Sequence, residues 1–201
     1  RCSAVDAFLA PVMNDPLLTI ETEATVTRLL IEGGTVTGVE YRSGGVRKTA
    51  TAGVEVILAA GAYQTPKLLM LSGIGPEAEL ARHGIPTQVA LPGVGHNLQD
   101  HYECPVVATT RGAFGYYGQD RGWPMIKAGL QYLLFKSGPV TTTGVETCAF
   151  YDPDGNNAEP TIQMFCVPTV YLDRDVMGTE PGDGVTINSL MLRPKARGAV
   201  S

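Results

Sequence analysis

The sequence predicts an α+β fold built from two successive parts, each with its own sheet. Three observations predict it: strand-like segments separated by Gly-Gly pairs fill residues 17–60, a helical pattern follows over residues 65–83, and strand-like segments return after residue 102. Hydrophobic residues make up 44% of the 201 residues and charged residues 17%, which is typical of a globular chain with a sizeable core. The change in pattern near residue 102 predicts two domains, residues 1–101 and residues 102–201.

The first part begins with a short helix over residues 2–13, which an Asn-Asp-Pro turn ends. Gly-Gly pairs at residues 33–34 and 44–45 then indicate hairpin turns between alternating segments. The run VEVILAA at residues 54–60 has the uniformly apolar character of a buried strand. We therefore expect two strands of one sheet with an antiparallel meander between them. The outer strands are residues 17–21 and 54–60, and the meander is residues 24–31, 36–41 and 46–51.

Two short helices come next. Residues 65–71 are predicted to be helical, with Thr65 as the N-cap and Pro66 at the first position. A second helix, residues 77–83, is ended by Gly84. Residues 93–101 are predicted to form a loop.

The second part is predicted to be an antiparallel sheet flanked by one helix, residues 123–135. Residues 112–122 and 172–184 are rich in Gly and Asp and are predicted to be long loops. The predicted strands are residues 106–110, 149–151, 161–167 and 186–192.

Composition argues against several classes of partner. The net charge of −5 and the pI near 5.2 do not favour nucleic acid or an anionic membrane as partner. No apolar run approaches the roughly 20 residues of a membrane helix. The four cysteines form no Cys-x-x-Cys pair and lie at no metal-ligand spacing from a histidine, so reduced thiols and no metal site are expected. A cytoplasmic location is the default expectation, although the chain starts with Arg1 rather than Met and a leader could precede it.

Three ordered motifs carry a resemblance to a known family. Residues 61–76 read GAYQTPKLLMLSGIGP, with a small pair, Thr-Pro, an aliphatic pair and Ser-Gly-Ile-Gly at fixed intervals. Residues 93–101 read GVGHNLQDH and residues 193–200 read RPKARGAV. Taken alone, Gly-Ile-Gly at residues 73–75 is explained by a helix C-cap and a tight turn. Taken together, the three motifs resemble the glucose–methanol–choline (GMC) oxidoreductases, in particular the branch of the choline dehydrogenases.

The resemblance implies part of an FAD-binding domain followed by the front of a substrate domain. It implies an enzyme that oxidises the CH–OH group of a small-molecule alcohol, with hydride passing to FAD. Val26 is similar to the family valine whose main chain meets the adenine, and packing in the core is the alternative for this residue. Ala60 and Gly61 follow the predicted strand at a point where the family's backbone passes close to the cofactor.

Glu146 is the candidate substrate-binding residue. Residues 142–150 read TTGVETCAF and resemble the choline-dehydrogenase stretch in which an acid lies on the substrate side. Gly144 replaces the histidine next to that acid, which casts doubt on choline itself as substrate. An unpaired buried carboxylate is costly, so Glu146 faces the active-site cavity, pairs with an arginine such as Arg193, or lies on a solvated surface.

The resemblance also implies that the catalytic machinery lies outside these residues. No Gly-x-Gly-x-x-Gly loop opens a strand–helix unit in the sequence, and the family's catalytic histidine comes much later than His101. We therefore name no catalytic residue and expect this chain alone to be inactive and to hold FAD weakly or not at all. Two alternatives to alcohol oxidation stay open: a hydroxynitrile lyase on the same flavin fold, and a non-catalytic binding module.

Overall fold

A computed structural model describes residues 2–156, 159–171 and 180–201. The chain forms two compact units. The first unit comprises Val12–Gln99 and Lys195–Ser201, and the second comprises Arg1–Pro11 and Asp100–Pro194. The predicted division after residue 101 would place residues 2–11 in the first unit and residues 195–201 in the second. In the structure, residues 2–11 group with the second unit and residues 195–201 with the first.

The first unit contains the predicted meander. Strands β1 (Ala24–Glu32), β2 (Thr35–Ser43) and β3 (Val46–Thr51) pair antiparallel in the order β1-β2-β3. The two connecting turns fall at the two Gly-Gly pairs, where all four glycines have positive φ. The meander is therefore confirmed, and β1 lies at one edge of this sheet.

The two strands predicted to flank the meander are not formed. Residues 17–21 and 54–60 belong to none of the sheets of the described residues, and the side chains of Val54 and Ile57 are 97% and 79% exposed. The prediction was wrong because an apolar run reports a tendency to be buried, whereas a strand also needs a neighbour for its backbone donors and acceptors.

Helical structure begins earlier than predicted. Helix α1 spans Gly61–Leu71, and helix α2 spans Glu77–Arg82, close to the predicted second helix. Thr65 is not the N-cap: its hydroxyl oxygen accepts a hydrogen bond from the Ala60 amide at 3.2 Å from inside the helix. Pro66 accordingly lies in the second turn of α1 rather than at its first position. The earlier start falls at Gly61, whose φ of +86° is one that glycine adopts without strain.

Short strands complete the first unit. Strand β4 (Ile74–Gly75) pairs parallel with β5 (Val89–Ala90). Strand β6 (His96–Leu98) lies in the segment predicted as a loop, and it pairs antiparallel with β11 (Gly198–Ala199). Backbone pairing therefore joins the second and third sequence motifs, although about 100 residues of chain separate them.

The core of the first unit joins the meander to α1. Leu29 of β1, Leu68 of α1 and Ile74 of β4 are buried together. Partly buried neighbours surround them: Ile31, Val36, Val39, Val56, Leu58, Leu69 and Val89. Ser72, just after α1, accepts a hydrogen bond from the Leu29 amide at 2.8 Å and donates one to the Leu68 carbonyl at 2.7 Å. This buried hydroxyl fixes the end of α1 to the edge of the sheet.

The second unit is the predicted antiparallel sheet. Its order is β7-β10-β9-β8, with every neighbouring pair antiparallel. The strands are β7 (Glu103–Thr109), β8 (Thr147–Tyr151), β9 (Ile162–Val167) and β10 (Gly184–Met191). Helix α3 (Gly122–Phe135) matches the predicted helix, and residues 5–12 form short helical turns. Within the predicted second loop, residues 172–179 lie outside the described residues.

Candidate functional site

The three candidate cofactor residues lie in the first unit, on β1 and at the start of α1. Val26 of β1 faces Tyr41 of β2 in the register, and its side chain is 39% exposed. Immediately after it the pairing shifts, and Thr27 donates a hydrogen bond to the Glu40 carboxylate at 2.7 Å. Val26 is therefore not a core residue, and it is partly exposed at the edge strand β1.

Ala60 and Gly61 are exposed at the start of α1. No heavy atom of the described residues lies within 4 Å of the place where a Cβ on Gly61 would stand. The positive φ of Gly61 accounts for the glycine by itself, and the space beside it is open to a bound group. No side chain caps this end of α1 through a hydrogen bond, so its first amides remain as donors. These features fit the approach of a polar cofactor to the backbone here.

A groove runs beside the same helix. It has a volume of about 380 Å³ and separates one face of α1 from the second sequence motif. Its lining includes Ala62, Pro66 and Leu69 of α1, together with Asn97 and Leu98 of β6. Asn97 adopts a positive φ of 63°, a conformation that asparagine tolerates better than most residues. Val200 lines it as well, so all three of the family-like motifs meet along this groove.

Asp100 and His101, at the end of the second motif, bond to each other. In the second unit, the carboxylate of Asp100 accepts a hydrogen bond from the His101 amide at 2.9 Å. This arrangement stabilises the loop backbone, as carboxylates and amides in loops commonly do. Nothing in the described part of the chain gives His101 an acid–base partner of its own.

Glu146 lies just before β8 in the second unit, and two hydroxyl groups bind its carboxylate. Tyr116 donates a short hydrogen bond to Oε1, and Thr142 donates a second to the same oxygen at 2.5 Å. Both bonds hold the pKa of Glu146 below its ordinary value, and the bond from Thr142 has the larger effect. Burial is the main cause that raises the pKa of Tyr116, and its hydrogen bond to Glu146 raises that pKa further. Glu146 therefore has two hydroxyl partners and a pKa below its ordinary value.

The contacts of Glu146 bear on two of its three predicted roles, the ion pair with Arg193 and the solvated surface. Arg193 is not its partner, because Arg193 forms an ion pair with Glu159. The side chain of Glu146 is exposed, yet it is not simply solvated, since Tyr116 and Thr142 hold one of its oxygens. The sequence offered no signal for Tyr116, which lies 30 residues earlier in a glycine-rich loop. Thr142 lies only four residues before Glu146, so the local sequence suffices to suggest it as a partner.

Among the residues that the structure describes, no group of three or more His, Cys, Asp or Glu side chains could hold a metal ion. The four cysteines are unpaired with one another. No helix in the described ranges has the length and apolarity needed to cross a membrane.

Comparison with known proteins places these features in a family. The family model of the GMC oxidoreductases matches residues 1–103. The chain belongs to the GMC oxidoreductase family, and the resemblance drawn from its three motifs is confirmed.

Relatives with known names match the chain over both units. The oxygen-dependent choline dehydrogenase of Brucella canis is 34% identical over 201 residues, which is 100% of this chain and 36% of that protein. The mitochondrial choline dehydrogenase of Homo sapiens is 35% identical over 202 residues, covering 96% of this chain and 34% of that protein. The chain thus spans about a third of the length of these relatives.

Solved structures share the fold. The formate oxidase of Aspergillus oryzae, studied for its FAD modification, superposes with a TM-score of 0.79 at 31% identity, over 92% of this chain and 37% of that one. The pyridoxine 4-oxidase of Mesorbium loti superposes with a TM-score of 0.77 at 26% identity, over 99% of this chain and 35% of that one. The mixed helix and sheet architecture is therefore that of GMC flavoproteins.

Proposed function

We propose that this chain is the central part of an FAD-dependent oxidoreductase that converts a small alcohol to an aldehyde. The observation that carries the proposal is the match to choline dehydrogenases, at 34% identity along the whole chain. FAD supplies the acceptor for the hydride of the alcohol. The first unit would belong to the FAD-binding domain, and the second unit would form the front of the substrate domain.

In this proposal Val26, Ala60 and Gly61 are the residues of the chain that contact FAD. Support comes from the exposure of all three and from the open space beside Gly61. The uncapped amides at the start of α1 are suitable donors for the polar edges of such a cofactor. Backbone contacts place few demands on side chains, which agrees with a valine, an alanine and a glycine at these positions.

Glu146 is proposed to bind the substrate. Its pKa is held low by Thr142 and Tyr116, so at neutral pH it would present a negative charge to a cationic or hydroxylated alcohol. Gly144 leaves the neighbouring position without the imidazole of the choline-dehydrogenase stretch. The substrate is therefore proposed as a small polar alcohol, with choline as one member of the panel to be tested.

The test uses the full-length holoprotein under anaerobic conditions, mixed with a panel of alcohols while the absorbance of bound FAD is followed. Bleaching of the flavin by an alcohol, with the aldehyde as product, is the expected result. Cyanide release from hydroxynitriles without flavin reduction would instead identify a lyase. A full-length protein that purifies without flavin would identify a binding module. Either result would overturn the proposal.

Glu146→Gln in that protein tests the substrate role. We expect a raised KM with little change in kcat and in the melting temperature, because the amide keeps the shape and loses the charge. Glu55→Gln, which makes the same change at an exposed residue of the first unit, is the matched control. Unchanged kinetics in the Glu146 variant would remove the residue from the substrate site.

A further inference from the structure

We propose that the outer face of the meander is a binding site for a phosphate group, formed by Arg28, Arg42 and Arg47. The outer face is the side of the sheet β1-β2-β3 that carries Glu40, whereas the core of the first unit lies on the other side. This site is separate from the substrate role proposed above for Glu146, which belongs to the second unit. The ligand class is a small oxyanion, either free phosphate or the phosphate group of a monoester.

The strand register places the three arginines on one face. Arg28 of β1 lies opposite Glu40 of β2. Two residues further along β2, Arg42 lies opposite Arg47 of β3. Residues that are directly opposed, and residues two apart in one strand, share a face of an antiparallel sheet. Leu29, the neighbour of Arg28, points to the other face and is buried in the core. The arginine side chains therefore point away from the core, and all three residues are exposed.

One buried carboxylate holds two of these arginines. Glu40 is 7% exposed, and its Oε2 lies 3.1 Å from Nη2 of Arg28 and 3.6 Å from Nη1 of Arg47. Its Oε1 accepts a hydrogen bond from the Thr27 hydroxyl at 2.7 Å, so both carboxylate oxygens are fixed. A guanidinium group has several N–H donors, and each contact with Glu40 engages one nitrogen. The remaining donors of Arg28 and Arg47 are therefore held in place at an exposed surface, where an oxyanion can reach them.

The outer face carries excess positive charge, although the net charge of the whole chain is −5. Glu40 compensates one of the three arginines, and the residues at the surrounding register positions are neutral: Thr25, Leu30, Gly38, Thr49 and Thr51. Arg42 forms no ion pair within the described ranges. It lies directly opposite Arg47, and like charges so placed destabilise a sheet. A phosphate between the two guanidinium groups would offset this repulsion, because arginine binds phosphate oxygens through paired N–H bonds.

The test is a calorimetric titration of the full-length holoenzyme with inorganic phosphate. Sodium chloride keeps the ionic strength constant, so that the screening of surface charge is the same at every point of the titration. We expect saturable binding of one phosphate per chain. A second titration uses glycerol phosphate, which carries the same group as a monoester. Equal affinities for the two would support a site for the phosphate group itself, and tighter binding of the ester would support a phosphorylated metabolite as the ligand.

Three variants locate the site. Arg42→Gln should raise the Kd for phosphate by about 5- to 10-fold, between the effects of losing an exposed ion pair and a hydrogen bond to a charged group. Arg42→Lys keeps the charge but lacks the paired donors, so it should also raise the Kd. Arg111→Gln, the same change at an exposed residue of the second unit, should keep the wild-type Kd. Without phosphate, Arg42→Gln should melt no lower than wild type, because it removes one of two like charges.

Two results would overturn the proposal. The first is a wild-type holoenzyme that binds neither phosphate nor glycerol phosphate saturably at constant ionic strength. The second is an Arg42→Gln variant with the wild-type Kd, since the arginines would then form only an ion-pair cluster with Glu40. An Arg42→Lys variant that binds as tightly as wild type would likewise overturn it, because the attraction would then be one of charge without recognition of the phosphate oxygens.

Discussion

Replacing Ser72 with alanine removes one hydroxyl that serves two backbone groups. Leu29 and Ser72 are 6% and 9% exposed, so in the variant the Leu29 amide would stay buried without the acceptor that it has at 2.8 Å. The Leu68 carbonyl keeps a donor, because the Ser72 amide also bonds to it at 3.2 Å. The loss is therefore one stranded buried N–H group, which costs about 1–3 kcal/mol of unfolding free energy.

Urea unfolding of the two proteins measures that loss, and amide hydrogen exchange locates it. We expect Ser72→Ala to lower the free energy of unfolding of the first unit by about 1–3 kcal/mol and to speed exchange at the Leu29 amide. Ser137→Ala, the same change at an exposed residue of the second unit, should stay within about 0.5 kcal/mol of wild type. If Ser72→Ala matches Ser137→Ala and the Leu29 amide remains protected, the connection between β1 and α1 does not stabilise the unit.

Three further predictions concern strain, charge and the cofactor. Gly33→Ala should cost roughly 1–2 kcal/mol from its positive φ alone, since no atom crowds it. Gly73→Ala should cost more in the same urea assay, because its Cβ would stand 2.6 Å from the Pro86 carbonyl oxygen; equal losses would contradict this. The hydrogen bond from Thr27 is the main cause that holds the pKa of Glu40 below its ordinary value, and the contacts with arginines add to it. The ionised Glu40 carboxylate therefore contributes its full share of stability above the unfolded pKa of about 4.3. That share is lost as the pH falls through the lower pKa of the folded state. In Thr27→Val an NMR titration should show a higher pKa for Glu40, and an unchanged pKa would refute the assignment. Finally, the purified 201-residue chain should bind less than one equivalent of FAD by absorbance, because its sequence contains no glycine loop for the pyrophosphate; a yellow, stoichiometric sample would contradict this.

Local patterns predicted much of the fold. Alternation between glycine pairs located the meander, and alternation after residue 102 located the four strands of the second sheet. Helix α3 followed from its apolar run. These features depend on neighbours in sequence, so one sequence suffices to read them.

Features that depend on a distant partner were missed or wrong. The apolar run at residues 54–60 predicts a strand, but no ladder partner lies beside it in the described part of the chain. The segment of β6 has the local pattern of a loop, and its strand partner, β11, lies about 100 residues later. The start of α1 was misplaced because Thr65 has the composition of a cap, yet it bonds back to Ala60 from within the helix.

The sequence by itself determined the family, because the order and spacing of its three motifs are visible in the amino-acid sequence alone. It also determined that Glu146 is a candidate for the substrate site. Only the tertiary structure decided what surrounds that carboxylate and what fixes β1 to α1. Tyr116 and Glu146 are 30 residues apart, and Leu29 and Ser72 are 43 residues apart. A hydrogen bond needs its two atoms within about 3.5 Å, and no local pattern states which distant segments the fold brings that close.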